Sequence, residues 1–362
     1  MNGARIASLL PAATEMACAL GLAEQIVGVS HECAYPNVIA ARPKLTRSVL
    51  PASLTQAEID AFVTARLRSG ESLYEVDGAL LRTLAPDLIL TQDLCEVCGV
   101  SSRELDVACE LLQNAPRILR FSPKSLTDVH ENLRALGEAT CRSAEAERLI
   151  ADARTRANFI ANRLAGAPRP RVFCMEWLDP PYCSGHWVPE MVEIAGGRDA
   201  LSRKGSDSAR VAWEDVVAWA PEVLILMPCG FGIEQVIQHA EILPLLPRWA
   251  ELPAVRHDRV FAVDANAYFA RPGPRLSDGL ELLAHIFHPE LEFPAIEAAA
   301  IPLWTKRCER CGMLFLCRKL SGCWCESVCV PPAVLAELSK SYSECLCRPC
   351  LQAVQTQAPR CA

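Results

Sequence analysis

Two thiols sit in the stretch TQDLCEVCGV, residues 91–100, directly after the short apolar run DLIL. A C-x-x-C pair supplies two soft donors at tetrahedral reach, so Cys95 and Cys98 fit a metal ion or an iron–sulfur cluster. The same pair fits a redox dithiol or a nucleophile. Cys98 precedes Gly99 and the helical stretch SSRELDVACELL, and a helix N-terminus lowers a thiol pKa. A third reading is plain packing, since cysteine at a loop start behaves as a small, weakly polar hydrophobe. The spacing leaves all three open.

A denser set of thiols lies further on. Ten of the nineteen cysteines fall within residues 308–361. Their spacing is C-x2-C-x5-C-x5-C-x-C and, after nineteen residues, C-x-C-x2-C. This sets Cys308, Cys311, Cys317, Cys323, Cys325, Cys345, Cys347 and Cys350 within 43 residues. A segment this small cannot bury enough apolar surface to fold unaided. A structural metal makes up the deficit, contributing roughly 10–16 kcal/mol in finger peptides. Eight thiolates suit two tetrahedral sites of four cysteines each. No histidine follows His288, so any set drawn from the Cys and His of this module is all sulfur. Zinc is the expected metal, with iron–sulfur as the alternative.

The bulk properties narrow the class. The chain has 362 residues, which predicts two or three domains. Hydrophobic residues make up 51% and charged residues 22%, a globular composition. A formal charge of −7 offers no basic stripe for nucleic acid. The most apolar stretch, VVAWAPEVLILMPCGFGI, is broken by Glu222 and two prolines, so no membrane insertion is expected. The N-terminal MNGARIASLLPAATEMACALG has no signal-peptide pattern. The expected compartment is therefore the cytoplasm, where so many thiols would serve metal or thiol chemistry rather than disulfides.

The elements that must position these thiols alternate between strand and helix. RIASLL, QIVGVS, DLILTQ, RILRFS, RVFCMEW, VLILMP and RVFAVD read as short buried parallel strands. LAPDLILTQDLC resembles WAPEVLILMPC, and TEMACALG resembles PEMVEIAGG, in the same order, which points to a duplicated lobe. Between the halves, residues 143–165 predict one helix of roughly 35 Å, long enough to span two lobes. The expected fold is therefore α/β, with two lobes joined by a long helix around a ligand cleft. Residues 4–121 form the first lobe, 122–168 the connecting helices and 169–290 the second lobe. Residues 291–305 form an Ala/Pro linker, and 306–353 a metal-stabilised cysteine-rich module.

Parallel sheets bind ligands beyond the carboxyl ends of their strands. That rule places His31, Glu32 and Cys33, then Gln92, Asp93 and Cys95, then Trp177, then Cys229 and Phe231, and then Asn266 on the cleft. Cys33 or Cys229 would complete a metal set with Cys95 and Cys98. His186 in CSGHWVPEM is either a capping residue or a further ligand. Arg271 and Arg275 in YFARPGPRL either cap the final helix or face an anionic ligand group.

These stretches carry a resemblance. RIASLLPAATEMACALGLAEQIVGVSHECAYP, VDGALLRTLAPDLILTQ, GHWVPEMVEIAGGRDAL and VAWEDVVAWAPEVLILMP resemble helical-backbone substrate-binding proteins. These deliver cobalamin, haem and iron-siderophores to ABC importers. The resemblance covers roughly residues 4–288, and the cobalamin-binding branch looks nearest. It implies two Rossmann-like lobes with the ligand sandwiched between them. It further implies Tyr35 as an aromatic contact, the Cys95–Cys98 loop as the next one, and Trp177, Trp187 and Phe231 as second-lobe contacts. CGMLFLC, CWC and CLCRPCL in the tail resemble a small family known for its CWC core. The expected function is a cytoplasmic binding protein for cobalamin or a related metal chelate. The alternative is a metal- or iron–sulfur-dependent enzyme using cleft cysteines. Without an export signal, an ABC-importer partner is doubtful.

Overall fold

Each lobe is seeded by the same local device. In the first, the backbone N–H of Arg5 donates to Asp87 Oδ2 at 2.8 Å, and the Arg5 guanidinium donates to the Leu84 carbonyl. In the second, Arg171 N–H donates to Glu222 Oε2 at 2.8 Å, and its guanidinium donates to the Ala220 carbonyl. Ala85 and Ala220, at φ of 40° and 50°, close the preceding helix in the left-handed region. The two Ala-Pro-acidic repeats thus hold corresponding strand starts. A computed structural model describes residues 3–92, 105, 109, 115–291, 293, 300–318 and 323–357.

The first lobe is built on β1 (Ile6–Ser8), β2 (Ile26–Val29), β5 (Leu88–Gln92) and β6 (Arg117–Phe121). They form a parallel sheet in the order β2-β1-β5-β6. A separate antiparallel pair, β3 (Thr46–Ser48) and β4 (Tyr74–Val76), sits at its rim. Helices α1 (Pro11–Ala19), α2 (Gln56–Arg68) and α3 (Gly78–Leu84) belong to this lobe. Pro at the first turn starts α1, and Gly21 at φ 77° follows its end. A full capping box, Thr55 with Glu58, starts α2.

Two helices connect the lobes, α4 (Leu126–Thr140) and α5 (Ser143–Arg163). At 21 residues α5 is about 31 Å long. Their apolar faces, including Val129, Leu133, Leu136, Ile150 and Ile160, join one core cluster with residues of both lobes. Arg156 ties α5 to Asp278 and Glu281 of the final lobe helix at 2.6 and 2.7 Å.

The second lobe carries β7 (Val172–Leu178), β8 (Pro181–Cys183), β9 (Val223–Leu226), β10 (Val260–Val263) and β11 (Ala300–Pro302), in the order β11-β10-β9-β7-β8. The inner three are parallel, and both edge strands are antiparallel. Its helices are α6 (Val188–Ile194), α7 (Trp213–Trp219), α8 (Ile233–His239), α9 (Pro253–Arg256), α10 (Ala265–Tyr268) and α11 (Leu276–Phe287). Gly196 at φ 78° ends α6 as Gly21 ends α1.

Within the expected linker 291–305, residues 300–302 are thus an edge strand of the second lobe. The module beyond consists of the hairpin β12 (Trp304–Arg307) and β13 (Leu314–Cys317), then α12 (Pro332–Ser341) and α13 (Arg348–Gln357). It is not a loose appendage. Leu303 and Leu316 join the second-lobe core beside Trp249, whose indole donates to Thr305 Oγ1 at 2.9 Å. Arg318 pairs with Glu234 at 3.1 Å, and Arg348 with Glu241 at 2.6 Å.

Candidate functional site

A cavity of about 600 Å³ lies between the lobes. Its second-lobe wall is Trp177, at the end of β7, and Phe231, in the loop after β9, with ring centroids 5.5 Å apart. Across from them α2 presents Ile59, Val63 and Leu67. The floor is polar. Gln92 ends β5 and is buried, and its amide nitrogen has no partner among the described residues. Glu176 accepts from the Gly185 N–H at 3.1 Å. Burial pushes its carboxyl up, against the Ser208 hydroxyl and that N–H. His186 Nε2 lies 3.2 Å from Asp207 Oδ1 but is not aligned for a hydrogen bond. Burial pushes its imidazole down, so it is neutral near pH 7. At φ 53° its backbone is in the left-handed region, a strained conformation of a kind that collects at binding sites. Gly185 beside it leaves room for the chain at 206–208, because a Cβ there would meet Ser208 N at 2.4 Å.

Two sets of contacts close the lobes over this space. In the first, α2 grips the second lobe. Gln56 Oε1 accepts from Leu178 N–H at 2.6 Å and Asp179 N–H at 3.3 Å, while the Gln56 carbonyl accepts from the Trp177 indole at 3.2 Å. One turn on, Asp60 accepts from Tyr182 OH at 2.9 Å and from Arg210 at 2.5 Å. In the second, Arg275 reaches back to the buried Glu15 of α1 with bonds of 2.8 and 2.6 Å. Its guanidinium lies over the Tyr35 ring, 4.1 Å from the centroid. Arg271 lines the cavity and donates to the Glu32 carbonyl at 3.3 Å. Of the two arginines, therefore, Arg275 serves a lobe-to-lobe ion pair and Arg271 faces the cleft.

The module holds a separate cluster. The sulfurs of Cys308, Cys311, Cys347 and Cys350 lie within 4.8 Å of one another. Four sulfurs at about 2.3 Å from a tetrahedral zinc sit about 3.8 Å apart, so the donor set and its spacing fit a metal ion. The turn after β12 brings Cys308 and Cys311 together through Gly312 N–H to Cys308 O at 2.8 Å. Cys347 and Cys350 flank the start of α13, and Cys311 and Cys347 are 3.5 Å apart. Burial pushes the Cys308 thiol up, but the N–H groups of Cys347, Cys311 and Arg310 outweigh it and bring the thiol down to about 6. A thiolate at neutral pH is what a metal needs. Trp324 of the CWC triplet packs under the Arg348 guanidinium, 4.8 Å from the ring centroid.

Two α/β lobes, a long connecting helix and a cleft walled by aromatic rings fit one known architecture. The family model described as periplasmic binding protein matches residues 6–267. The chain belongs to that family. Residues 308–352 match the cysteine-rich CWC model. Among curated relatives, the vitamin B12-binding protein of Vibrio cholerae is 27% identical, over 76% of this chain and 86% of its own length. An uncharacterised ABC transporter substrate-binding lipoprotein, YvrC of Bacillus subtilis, is 24% identical over 79% of this chain and 80% of its own. Among solved structures, the periplasmic vitamin B12-binding protein BtuF of Vibrio cholerae superposes with a TM-score of 0.57 at 24% identity, covering 80% of this chain and 98% of that one. A periplasmic haem-binding protein of Pseudomonas aeruginosa gives 0.62 at 19% identity, covering 80% and 95%. No helix among the described residues is long and apolar enough to cross a membrane.

On this periplasmic-binding-protein frame the expected site residues divide. Glu32, Trp177, His186, Cys229 and Phe231 line the cavity. Trp187 lines only a recess of about 50 Å³ beside it. It is buried, and its indole donates to the Phe269 carbonyl at 2.8 Å. Cys33 does not face the cleft. Its N–H turns back to Ser30 O at 3.2 Å, and the thiol lies buried between Thr14 Oγ1 and Ser30 Oγ, at 3.1 and 3.2 Å. His31 also turns aside, with Nδ1 2.8 Å from Thr46 Oγ1. Tyr35 is exposed and serves the Arg275 pair rather than the cavity wall. Asp93, Cys95 and Cys98 lie outside the described residues. The sequence reading missed α2 altogether. Its signals were the Thr55–Glu58 box and the apolar residues Ile59, Val63 and Leu67 at four-residue spacing.

Proposed function

We propose that this chain binds a corrinoid, or a closely related metal chelate, in the inter-lobe cleft, and sequesters it or hands it over in the cytoplasm. The cleft carries the reading. It is a space of about 600 Å³ between two lobes, with Trp177 and Phe231 on one side and amide, imidazole and carboxyl groups on its floor. A flat macrocycle with amide edges calls for that combination of aromatic wall and few placed polar groups. Relatives named as vitamin B12-binding proteins support the ligand class. In this reading a corrin-sized ligand enters when α2 lifts, and the Cys308 quartet holds zinc as a structural ion.

The cytoplasmic setting is supported by the thiol load. The chain has nineteen cysteines, a content that suits metal or thiol chemistry in a reducing compartment, although Cys329 is disulfide-bonded. An importer partner lies outside this reading. Metal chemistry in the cleft would draw on Cys229, which lines the cavity, together with Cys95 and Cys98, which lie outside the described residues.

Anaerobic titration of the full chain with hydroxocobalamin, read in the visible bands, tests the ligand. The expected result is a shift that saturates at one ligand per chain and is lost when Trp177 and Phe231 are both replaced by Ala. No shift with hydroxocobalamin, and none with haem, would end the metal-chelate reading. Recovery of the native protein from the periplasmic fraction would end the cytoplasmic part.

A further inference from the structure

The recess of about 50 Å³ beside the main cavity has walls that the cleft reading leaves unused. It shares Gln92, Glu176, His186 and Cys229 with the cavity, so it adjoins the cavity floor. At about 10–15 Å³ for each water-sized atom, it has room for roughly three or four of them. That is the size of one carboxamide or carboxyl group. Gln92 is 9% exposed, and its buried amide nitrogen has no partner among the described residues. His186 Nε2 is buried and also lacks an aligned partner. Glu176 offers a carboxyl already fixed by the Gly185 N–H at 3.1 Å. The remaining wall includes Val188, Met227 and Phe269, whose side chains supply no hydrogen bond. A buried donor without an acceptor is costly, and folded chains keep few of them.

The charge around the recess sorts the group that would fit. No Lys or Arg lines it among the described residues. Arg271, which lines the larger cavity, donates to the Glu32 carbonyl and lies 4.0 Å from Glu15. A carboxylate in the recess would be stripped of water beside Glu176, with no cation to pair it. Burial also pushes the Glu176 carboxyl up, toward its neutral form. A carboxamide escapes the penalty of a buried charge. Its carbonyl accepts from the Gln92 amide, and its NH₂ donates to the Glu176 carboxyl or the imidazole. One amide complements another in either orientation, so the pairing holds for both senses of the Gln92 group.

We propose that the recess is a subsite for one primary amide of the chelate held in the cleft, and that Gln92 makes the cleft select amide-edged over carboxylate-edged ligands. This rests on the binding function proposed above and adds the edge chemistry of the ligand. Gln92 ends β5 of the first lobe, while Glu176 in β7 and His186 before α6 belong to the second. A single amide in the recess bonds both lobes at once and favours their closed arrangement.

The test uses the full-length chain and two corrinoids that share the ring and the cobalt. Cobinamide carries amides at its edge, and cobyrinic acid carries carboxylates. Visible-band titration should show wild type binding cobinamide roughly tenfold or more tightly than cobyrinic acid. Gln92→Met keeps the length of the side chain and removes its amide. It should weaken cobinamide roughly tenfold and leave cobyrinic acid unchanged. The ligand-free variant should melt no lower than wild type, because the amide nitrogen it loses has no partner there. Wild type binding cobinamide no more tightly than cobyrinic acid would overturn the proposal, and that comparison needs no variant. So would a Gln92→Met chain that keeps its affinity for cobinamide or loses affinity for both alike. Hydroxocobalamin and haem titrated in parallel separate the two layers. If neither binds, the cleft reading fails and the recess with it; if hydroxocobalamin binds, the corrinoid comparison bears on the recess alone.

Discussion

Gln56 is the residue whose removal most directly probes closure of the cleft. It is 3% exposed, although its helix belongs to the first lobe and its amide oxygen serves the second. Replacing it with Ala removes the bonds to Leu178 N–H and Asp179 N–H, but leaves the backbone carbonyl that receives the Trp177 indole. The Thr55–Glu58 box that starts α2 also survives. Two net hydrogen bonds at about 1 kcal/mol each amount to about 2 kcal/mol. Lifting α2 lets water reach the two N–H groups, so the loss falls on the closed form alone. The closed-to-open ratio should drop roughly 30-fold, at tenfold per 1.4 kcal/mol. Hydrogen exchange by mass spectrometry reads this without any ligand. Peptides covering residues 56–68 and 177–183 should exchange roughly 30-fold faster, while peptides from β9 and β10 keep their protection. Unchanged exchange in α2 would refute the argument. So would a loss of protection spread evenly over the second lobe, since that would mark global destabilisation rather than a released clasp.

Two other outcomes follow from buried charge. Glu15→Gln leaves Arg275, and Arg271 at 4.0 Å, without their carboxylate. Urea unfolding should show a loss of about 3–5 kcal/mol, and a Glu15→Met/Arg275→Met chain should recover most of it; a single variant within 1 kcal/mol of wild type, on the order of an exposed pair, would contradict the buried-pair reading. Burial holds the His186 imidazole below its ordinary 6.5. Below that pH the unfolded chain takes up the proton before the folded one does, so stability falls as pH falls. Glu176 and Asp199, held up by burial, act in the opposite direction, so the difference from a variant is the cleaner readout. Relative to His186→Asn, which tolerates the left-handed backbone, wild type should lose melting temperature progressively below pH 6.5; a constant difference from pH 7.5 to 5 would show that His186 does not titrate in that window.

The seven strands expected from short apolar runs all form, because buried parallel strands leave a dense local signature. The duplicated Ala-Pro-acidic segment was legible for the same reason, and the shared Arg5 and Arg171 anchors explain why it recurs. The strands that escaped, β3, β4, β8 and β11 with three residues each and the hairpin β12–β13 with four each, are too short to show a period. Cleft membership was predicted by counting from strand ends. That works for Trp177, near the end of β7, and for Cys229 and Phe231, which line the cavity although Phe231 N–H turns back onto Pro228 O. It fails at Cys33, where a turn onto Ser30 O rotates the thiol into the lobe. Sequence distance does not report such a reversal. The clasp by α2 was invisible for a different reason. Its apolar stripe is plain, but the partner lies more than a hundred residues away. In the tail the cysteine spacing pointed to metal ligands, while the quartet Cys308, Cys311, Cys347 and Cys350 became visible only when the turns brought those sulfurs together.

The short strand β11 has a practical consequence for anyone cutting the chain. It pairs with Phe261, Ala262 and Val263 and is the last rung on that side of the sheet. A fragment ending before residue 300 would leave β10 with a row of open N–H and C=O groups along an apolar strand. Bare edges of that kind recruit strands from other molecules. The tail therefore acts as a plug for the lobe that precedes it. A stand-alone binding domain should keep its residues through 303, or it will be prone to self-association.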